Sequence, residues 1–88
     1  MRKNGTHQRL SDCLNLPAMR QVKGVSLREI ADTTKISLRF LQAIEEGDFD
    51  LLPGGIYNTS YIRQYARAID YEETKLLEYY RSMTAVTA

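Results

Sequence analysis

The sequence is poor in the residues that most chemistry needs: 88 residues contain one cysteine and one histidine. Cys13 alone cannot close an internal disulfide, so a disulfide scaffold is excluded and a reduced, cytoplasmic setting is expected. His7 has no second histidine or cysteine at ligand spacing, which removes a zinc site. No apolar run approaches the roughly 20 residues of a membrane span. Arg2 and Lys3 are followed by polar residues, not by the apolar stretch of a signal peptide. A nucleophile–base set and a phosphate-cradling glycine loop are also missing, since Pro53-Gly54-Gly55 is only a turn signal. Glu45, Glu46, Asp48 and Asp50 crowd together, but they lack the alternating ligands and closing glutamate of a calcium loop. They read as a solvated or partner-facing acidic patch. The expectation is a non-enzymatic protein with no cofactor, no metal and no small-molecule substrate.

What is present is a short helical domain. A chain of 88 residues is one domain with a small core. Its net charge of +1 hides segregation. Residues 1–25 carry five basic side chains against one acid, residues 26–55 three against six, and residues 56–88 four against four.

The organising stretch is residues 26–47. Ser26 followed three residues later by Glu29 is a capping box, and Leu27, Ile30 and Ala31 give one apolar face. Thr33, Thr34 and Lys35 interrupt it. Ser37 then caps a second helix with Phe40, Leu41 and Ile44 inward, which Gly47 ends. Counted from Leu27 as first, Ala31 is fifth, Ile36 tenth, Leu41 fifteenth and Ile44 eighteenth. A small fifth residue lets two helices cross closely, and the other positions are the apolar contacts of that crossing. The pattern resembles the helix-turn-helix of the lambda-repressor/Cro-like (Xre) families. There the ninth position is usually glycine. Lys35 stands here instead, which points to a turn of different shape, because a left-handed non-glycine residue costs energy.

The rest of the chain completes a five-helix, all-α bundle. Residues 1–14 read as a basic, poorly ordered arm, with one turn formed by Leu10, Cys13 and Leu14. The domain proper spans 15–82, and 83–88 is a frayed tail. Pro17 places helix one between Leu16 and Gly24 with Leu16, Met19 and Val22 inward. Phe49, Leu51 and Leu52 anchor the loop that follows the second helix of the motif. Helix four covers Ile56 to Ile69. Its Tyr57, Tyr61 and Tyr65 recur every four residues, beside an apolar stripe of Ile62, Ala66 and Ile69. Core packing and an aromatic docking surface both fit that tyrosine stripe. Helix five turns Leu76, Leu77 and Tyr80 inward, with Tyr79 at the edge.

Gly47-Asp48-Phe49, Leu52-Pro53-Gly54, Tyr57, Tyr61, Tyr65-Ala66 and Arg67, with the Lys23 to Leu27 approach and Lys35-Ile36, are similar to the cytoplasmic domain of the RodZ family of bacterial cell-shape proteins. The likeness runs over about residues 15 to 81 and implies docking onto an actin-like filament protein of the MreB type through helix four, at Tyr61 and Tyr65. It differs at Thr59-Ser60, where the family commonly has Arg-Gly. It also implies a cytoplasmic location, as a soluble relative or as the cytoplasmic portion of a membrane-anchored protein whose membrane segment is absent from this chain.

Two functions follow. Protein docking would use Tyr57, Tyr61 and Tyr65 as anchors, with Arg63, Arg67 and the acids of Glu45 to Asp50 as a polar rim. Docking on double-stranded DNA, as a transcriptional regulator, would point Ser37, Leu38, Arg39, Gln42 and Ala43 into the major groove. Arg39 and Gln42 are able to read base edges. Against DNA stand Glu45 and Glu46, which would repel phosphates, and Leu27, where such repressors carry a backbone-contacting glutamine. A homodimer, or the N-terminal arm, would strengthen that second reading.

Overall fold

Ser26 closes the capping box that its spacing predicts. Its hydroxyl accepts from the Glu29 amide at 3.0 Å, and its own amide donates to the Glu29 carboxylate at 2.8 Å. The computed structural model describes residues 15–85. Among the described residues five α-helices follow one another: α1 (Leu16–Lys23), α2 (Leu27–Thr34), α3 (Leu38–Glu46), α4 (Ile56–Ala68) and α5 (Glu73–Ala85), with a 3-10 turn over Phe49–Leu51. There is no strand among the described residues. The arm expected over 1–14, including Leu10, Cys13, Leu14 and His7, lies outside them. Residues 83–85 continue α5 instead of fraying, and the Thr84 hydroxyl donates to the Tyr80 carbonyl at 3.0 Å.

The turn between α2 and α3 keeps the left-handed shape without glycine. Lys35 sits at φ 65°, ψ 18°, and its amide donates to the Ala31 carbonyl at 2.8 Å. Thr34 holds it there from both sides: its hydroxyl donates to the Ile30 carbonyl at 2.7 Å and accepts from the Ile36 amide at 3.2 Å. The expected change of shape is therefore absent, and the turn carries backbone strain instead. That strain costs about 1–2 kcal/mol, while glycine's extra freedom in the unfolded chain costs roughly 0.5–1 kcal/mol. Lys35→Gly should therefore stabilise the domain by about 0.5 kcal/mol, seen as a small rise in thermal midpoint. A fall would mean that the lysine side chain contributes more than its backbone costs.

The core is one cluster in which Leu16, Leu41, Ile44, Ile62, Tyr65 and Leu76 are fully buried. Ile30, Ile36, Ala43, Phe49, Leu52, Ala66, Ile69, Leu77 and Tyr79 complete it. Tyr79 is thus inside, not at the edge, because Phe49 packs edge-on against both Tyr79 and Tyr80, with centroids 5.6 and 5.1 Å away. Leu51 is 62% exposed and anchors nothing, since the 3-10 turn directs only Phe49 inward. Asn58, buried on α4, fixes the connection into that helix: its side chain accepts from the Gly54 amide at 2.7 Å and donates to the Tyr80 hydroxyl at 3.1 Å. Gly55 precedes α4 at φ 60°, ψ −145°, a conformation close to glycine's own region of the map.

α1 is the thinnest part of the packing. Its one buried residue is Leu16, while Met19 is partly exposed and Val22 is 87% exposed. Both were expected inward. Val22 lies six residues beyond Leu16, about 240° around the helix, so it cannot share the inward stripe. Arg20, four residues on, does share it.

Candidate functional site

The three tyrosines of α4 do not form one surface. Tyr57 is 58% exposed, Tyr61 is half-buried and Tyr65 is fully buried. The reason is arithmetic. At 3.6 residues per turn, a step of four overshoots a full turn by about 40°, so the stripe winds from solvent into the core over two steps. The inward set is Asn58, Ile62, Tyr65, Ala66 and Ile69. Tyr65 is therefore corrected from docking anchor to core residue.

Tyr57 and Tyr61 remain available. Their rings lie 6.1 Å apart and tilted, and Tyr61 stacks on Phe40 of α3 at 5.9 Å with planes 28° apart. Phe40, taken as an inward residue in the sequence, is half-buried and forms the third member of this aromatic ladder across α3 and α4. Its contribution came from the helix crossing, which no single periodicity reveals.

Arg63 and Arg67 do not rim that ladder. Arg63 follows Tyr61 by two residues, about 200° around α4, and turns toward the start of α5. Arg67 donates to Glu73 at 2.8 Å, and Arg63 lies 3.9 Å from the same carboxylate. The Arg67 hydrogen bond holds the Glu73 carboxyl below its ordinary range and the Arg67 guanidinium above its own. With Ile56, Thr59, Ser60 and Gln64, the two arginines line a shallow groove along the outer side of α4. The anticipated patch is thus two faces, one aromatic and one basic.

Glu45 is also displaced from its expected role. It is 8% exposed, paired with Arg20 of α1, and accepts from the Tyr65 hydroxyl at 2.7 Å. Arg20 also donates to the Val25 carbonyl at 3.3 Å. One carboxylate therefore joins α1, α3 and α4. Burial, reinforced by the neighbouring Glu45 charge, pushes the Tyr65 hydroxyl far above the ordinary tyrosine range, while the Glu45 bond raises Arg20. The signal for Glu45 was present: it lies four residues beyond Leu41, on the inward stripe of α3. Arg20 carried the matching signal four residues beyond Leu16.

For the DNA reading, Ser37, Arg39 and Gln42 are exposed and Leu38 is half-buried. Ala43 is 2% exposed and packs inside, so it cannot reach a groove. Glu45 no longer counts against phosphates, because it points inward and is neutralised. Glu46 stays exposed on the same face as Arg39 and Gln42.

Comparison with known proteins bears on these surfaces. A family described as "Helix-turn-helix domain" matches residues 15–76. The chain is 41% identical over 54 residues to "Uncharacterized membrane protein YmfM" of Bacillus subtilis, covering 61% of this chain and 19% of that protein. It is 35% identical over 78 residues to "Cytoskeleton protein RodZ" of Streptococcus pneumoniae, covering 89% of this chain and 28% of that one. The chain thus spans less than a third of the length of these curated relatives. No solved structure gives a significant match. Among the described residues no helix is long and apolar enough to cross a membrane. Five helices with the capped, tightly turned pair α2–α3, and a family match over most of the described residues, identify the chain as a member of the helix-turn-helix domain family, of the RodZ-like kind.

Proposed function

We propose that this domain is a non-enzymatic adaptor that docks an actin-like filament protein of the MreB type through Phe40, Tyr57 and Tyr61. The aromatic ladder carries the reading: three rings from two helices, Phe40 stacked on Tyr61 and Tyr61 tilted against Tyr57, open to solvent at the Tyr57 end. Aromatic side chains offer large, rigid contact area and dominate binding hot spots. The cytoskeletal designation of the pneumococcal relative supports the same class of partner.

Binding of residues 1–88 to polymerised MreB, measured by co-sedimentation, tests this. Tyr61→Ala should weaken binding about 30-fold, the scale of a hot-spot residue worth roughly 2 kcal/mol. Arg39→Ala should leave it unchanged. An unaltered affinity in Tyr61→Ala would move the interface elsewhere.

DNA docking is kept as a second reading because Arg39 and Gln42 share an exposed face of α3, Ser37 is exposed just before that helix, and Glu45 does not oppose them. Random-sequence duplex DNA in a salt series separates the two. Phosphate-driven binding weakens steeply with salt. Tight binding of that kind, lost in Arg39→Ala and retained in Tyr61→Ala, would replace the adaptor reading with that of a transcriptional regulator.

A further inference from the structure

The outer face of α4 carries a stripe set by helix arithmetic. From Ile56, steps of four, three and four residues reach Ser60, Arg63 and Arg67. All four fall within about 60° of arc, in one line along the helix. With Thr59 and Gln64 they line a single groove. Every lining residue belongs to α4, so the groove has no facing wall and cannot enclose a small molecule. Its length, about 16 Å from Ile56 to Arg67 at the helical rise, suits a stretch of polypeptide.

The groove is graded in chemistry. At its start Ile56 is 81% exposed. In the middle stand Thr59 and Ser60, whose hydroxyls are already engaged within the helix. Thr59 donates to the Ile56 carbonyl at 3.1 Å, and Ser60 accepts from the Gln64 side chain at 3.2 Å. These two are small spacers over which another helix can pack closely. At the far end Arg63 and Arg67 share one carboxylate, Glu73. Arg67 bonds it at 2.8 and 3.4 Å, whereas Arg63 stays 3.9 Å away and donates no hydrogen bond among the described residues. Two guanidinium groups against one carboxylate leave positive charge and N–H donors over. The complement of such a groove is a pair of carboxylates followed by an aliphatic side chain.

We infer that this groove seats an acidic helix of a partner protein, with two carboxylates one turn apart on Arg63 and Arg67 and an aliphatic side chain on Ile56. Residues four apart on a helix stand about 6 Å from each other, so acids at i and i+4 match the two arginines one for one. A helical occupant is favoured because its backbone hydrogen bonds are internal. An extended segment is bound through an exposed sheet edge, and there is no strand among the described residues. The helix runs antiparallel to α4. That direction sets its acids at its own N-terminus, where the macrodipole favours them, and opposite the C-terminal end of α4. The aliphatic residue then falls at i+11. The centre of this stripe lies roughly 90° or more around α4 from Tyr57 and Tyr61, so the inference does not rest on the proposed filament docking.

Titration of residues 1–88 into a labelled helical peptide, read by fluorescence anisotropy, tests it. The peptide carries glutamate at i and i+4 and leucine at i+11 on an alanine and glutamine background. Saturable binding that weakens as salt rises is expected, because the charged groups face solvent. Arg63→Glu combined with Arg67→Glu should weaken it about tenfold or more, and Ile56→Ser should weaken it too. The same charge-reversed protein should prefer a peptide with lysines in place of the glutamates, which a damaged fold would not do. Moving the acids to i and i+2, off one face, should cost about tenfold in affinity. No saturable binding, equal affinity for the two acid spacings, or indifference to the arginine reversals would overturn the inference. Tyr61→Ala should leave peptide binding unchanged, so failure here is distinct from failure of filament docking.

Discussion

Glu45→Ala should come close to unfolding the domain. Removing one partner of a buried ion pair costs about 3–5 kcal/mol, because the other charge stays buried without compensation. Total stability at this size is roughly 0.05–0.15 kcal/mol per residue, so that loss is a large share of the whole. Two groups are stranded here: the guanidinium of Arg20, whose side chain is 18% exposed, keeps the Val25 carbonyl, and the Tyr65 hydroxyl loses its acceptor. The control is a double substitution. Arg20→Met with Glu45→Met removes both charges and fills similar volume, which is commonly neutral or stabilising. Urea denaturation should therefore rank the double variant well above Glu45→Ala. A Glu45→Ala protein within about 1 kcal/mol of the parent would mean that water replaces the carboxylate and that the pair is not truly buried.

Tyr65→Ala and Tyr57→Ala should differ widely, although the two positions look alike along the helix. Tyr65 is wholly enclosed, and truncating a buried aromatic costs about 3–5 kcal/mol. Tyr57 is mostly in solvent, where a substitution shifts stability by roughly 0.5 kcal/mol or less. Tyr61→Ala should fall between them, losing its stacking on Phe40, worth about 0.5–1.5 kcal/mol beyond buried area. Equal melting points for the Tyr65 and Tyr57 variants would contradict the rotation of the stripe. The ordering matters for function too: a binding defect in a Tyr65 variant would report on folding, whereas one in Tyr61→Ala, with the melt nearly intact, would report on contact.

Helix boundaries were largely legible because their punctuation is chemical. The Ser26–Glu29 box, Pro17, Gly24 and Gly47 each mark an end that the structure keeps within a residue or so. The inward face of α2 and most of that of α3 followed from periodicity. Harder to read were the places where a rule of thumb hides an angle. A spacing of four suggested a straight tyrosine stripe, and only the accumulated 40° steps show that it enters the core. Glu45 was assigned to solvent by its charge and its acidic neighbours, although its position was inward. A buried carboxylate becomes legible only together with its partner, and Arg20 is 25 residues away in sequence. Lys35 shows the opposite limit. The strained backbone position was recognised, but the threonine hydroxyl that holds it needs the folded turn to be seen.

The exposed part of α3 has a consequence for how such a domain changes over time. Of its nine residues only Arg39, Gln42 and Glu46 are exposed; the others pack wholly or partly, and Glu45 locks the helix in rotation through α1 and α4. Surface positions without such ties tolerate substitution within about 0.5 kcal/mol. Three codons are therefore free to drift while the scaffold beneath them is held. Substitutions at those three positions would change the chemistry that α3 offers to solvent while leaving the aromatic ladder and the buried Arg20–Glu45–Tyr65 tie in place.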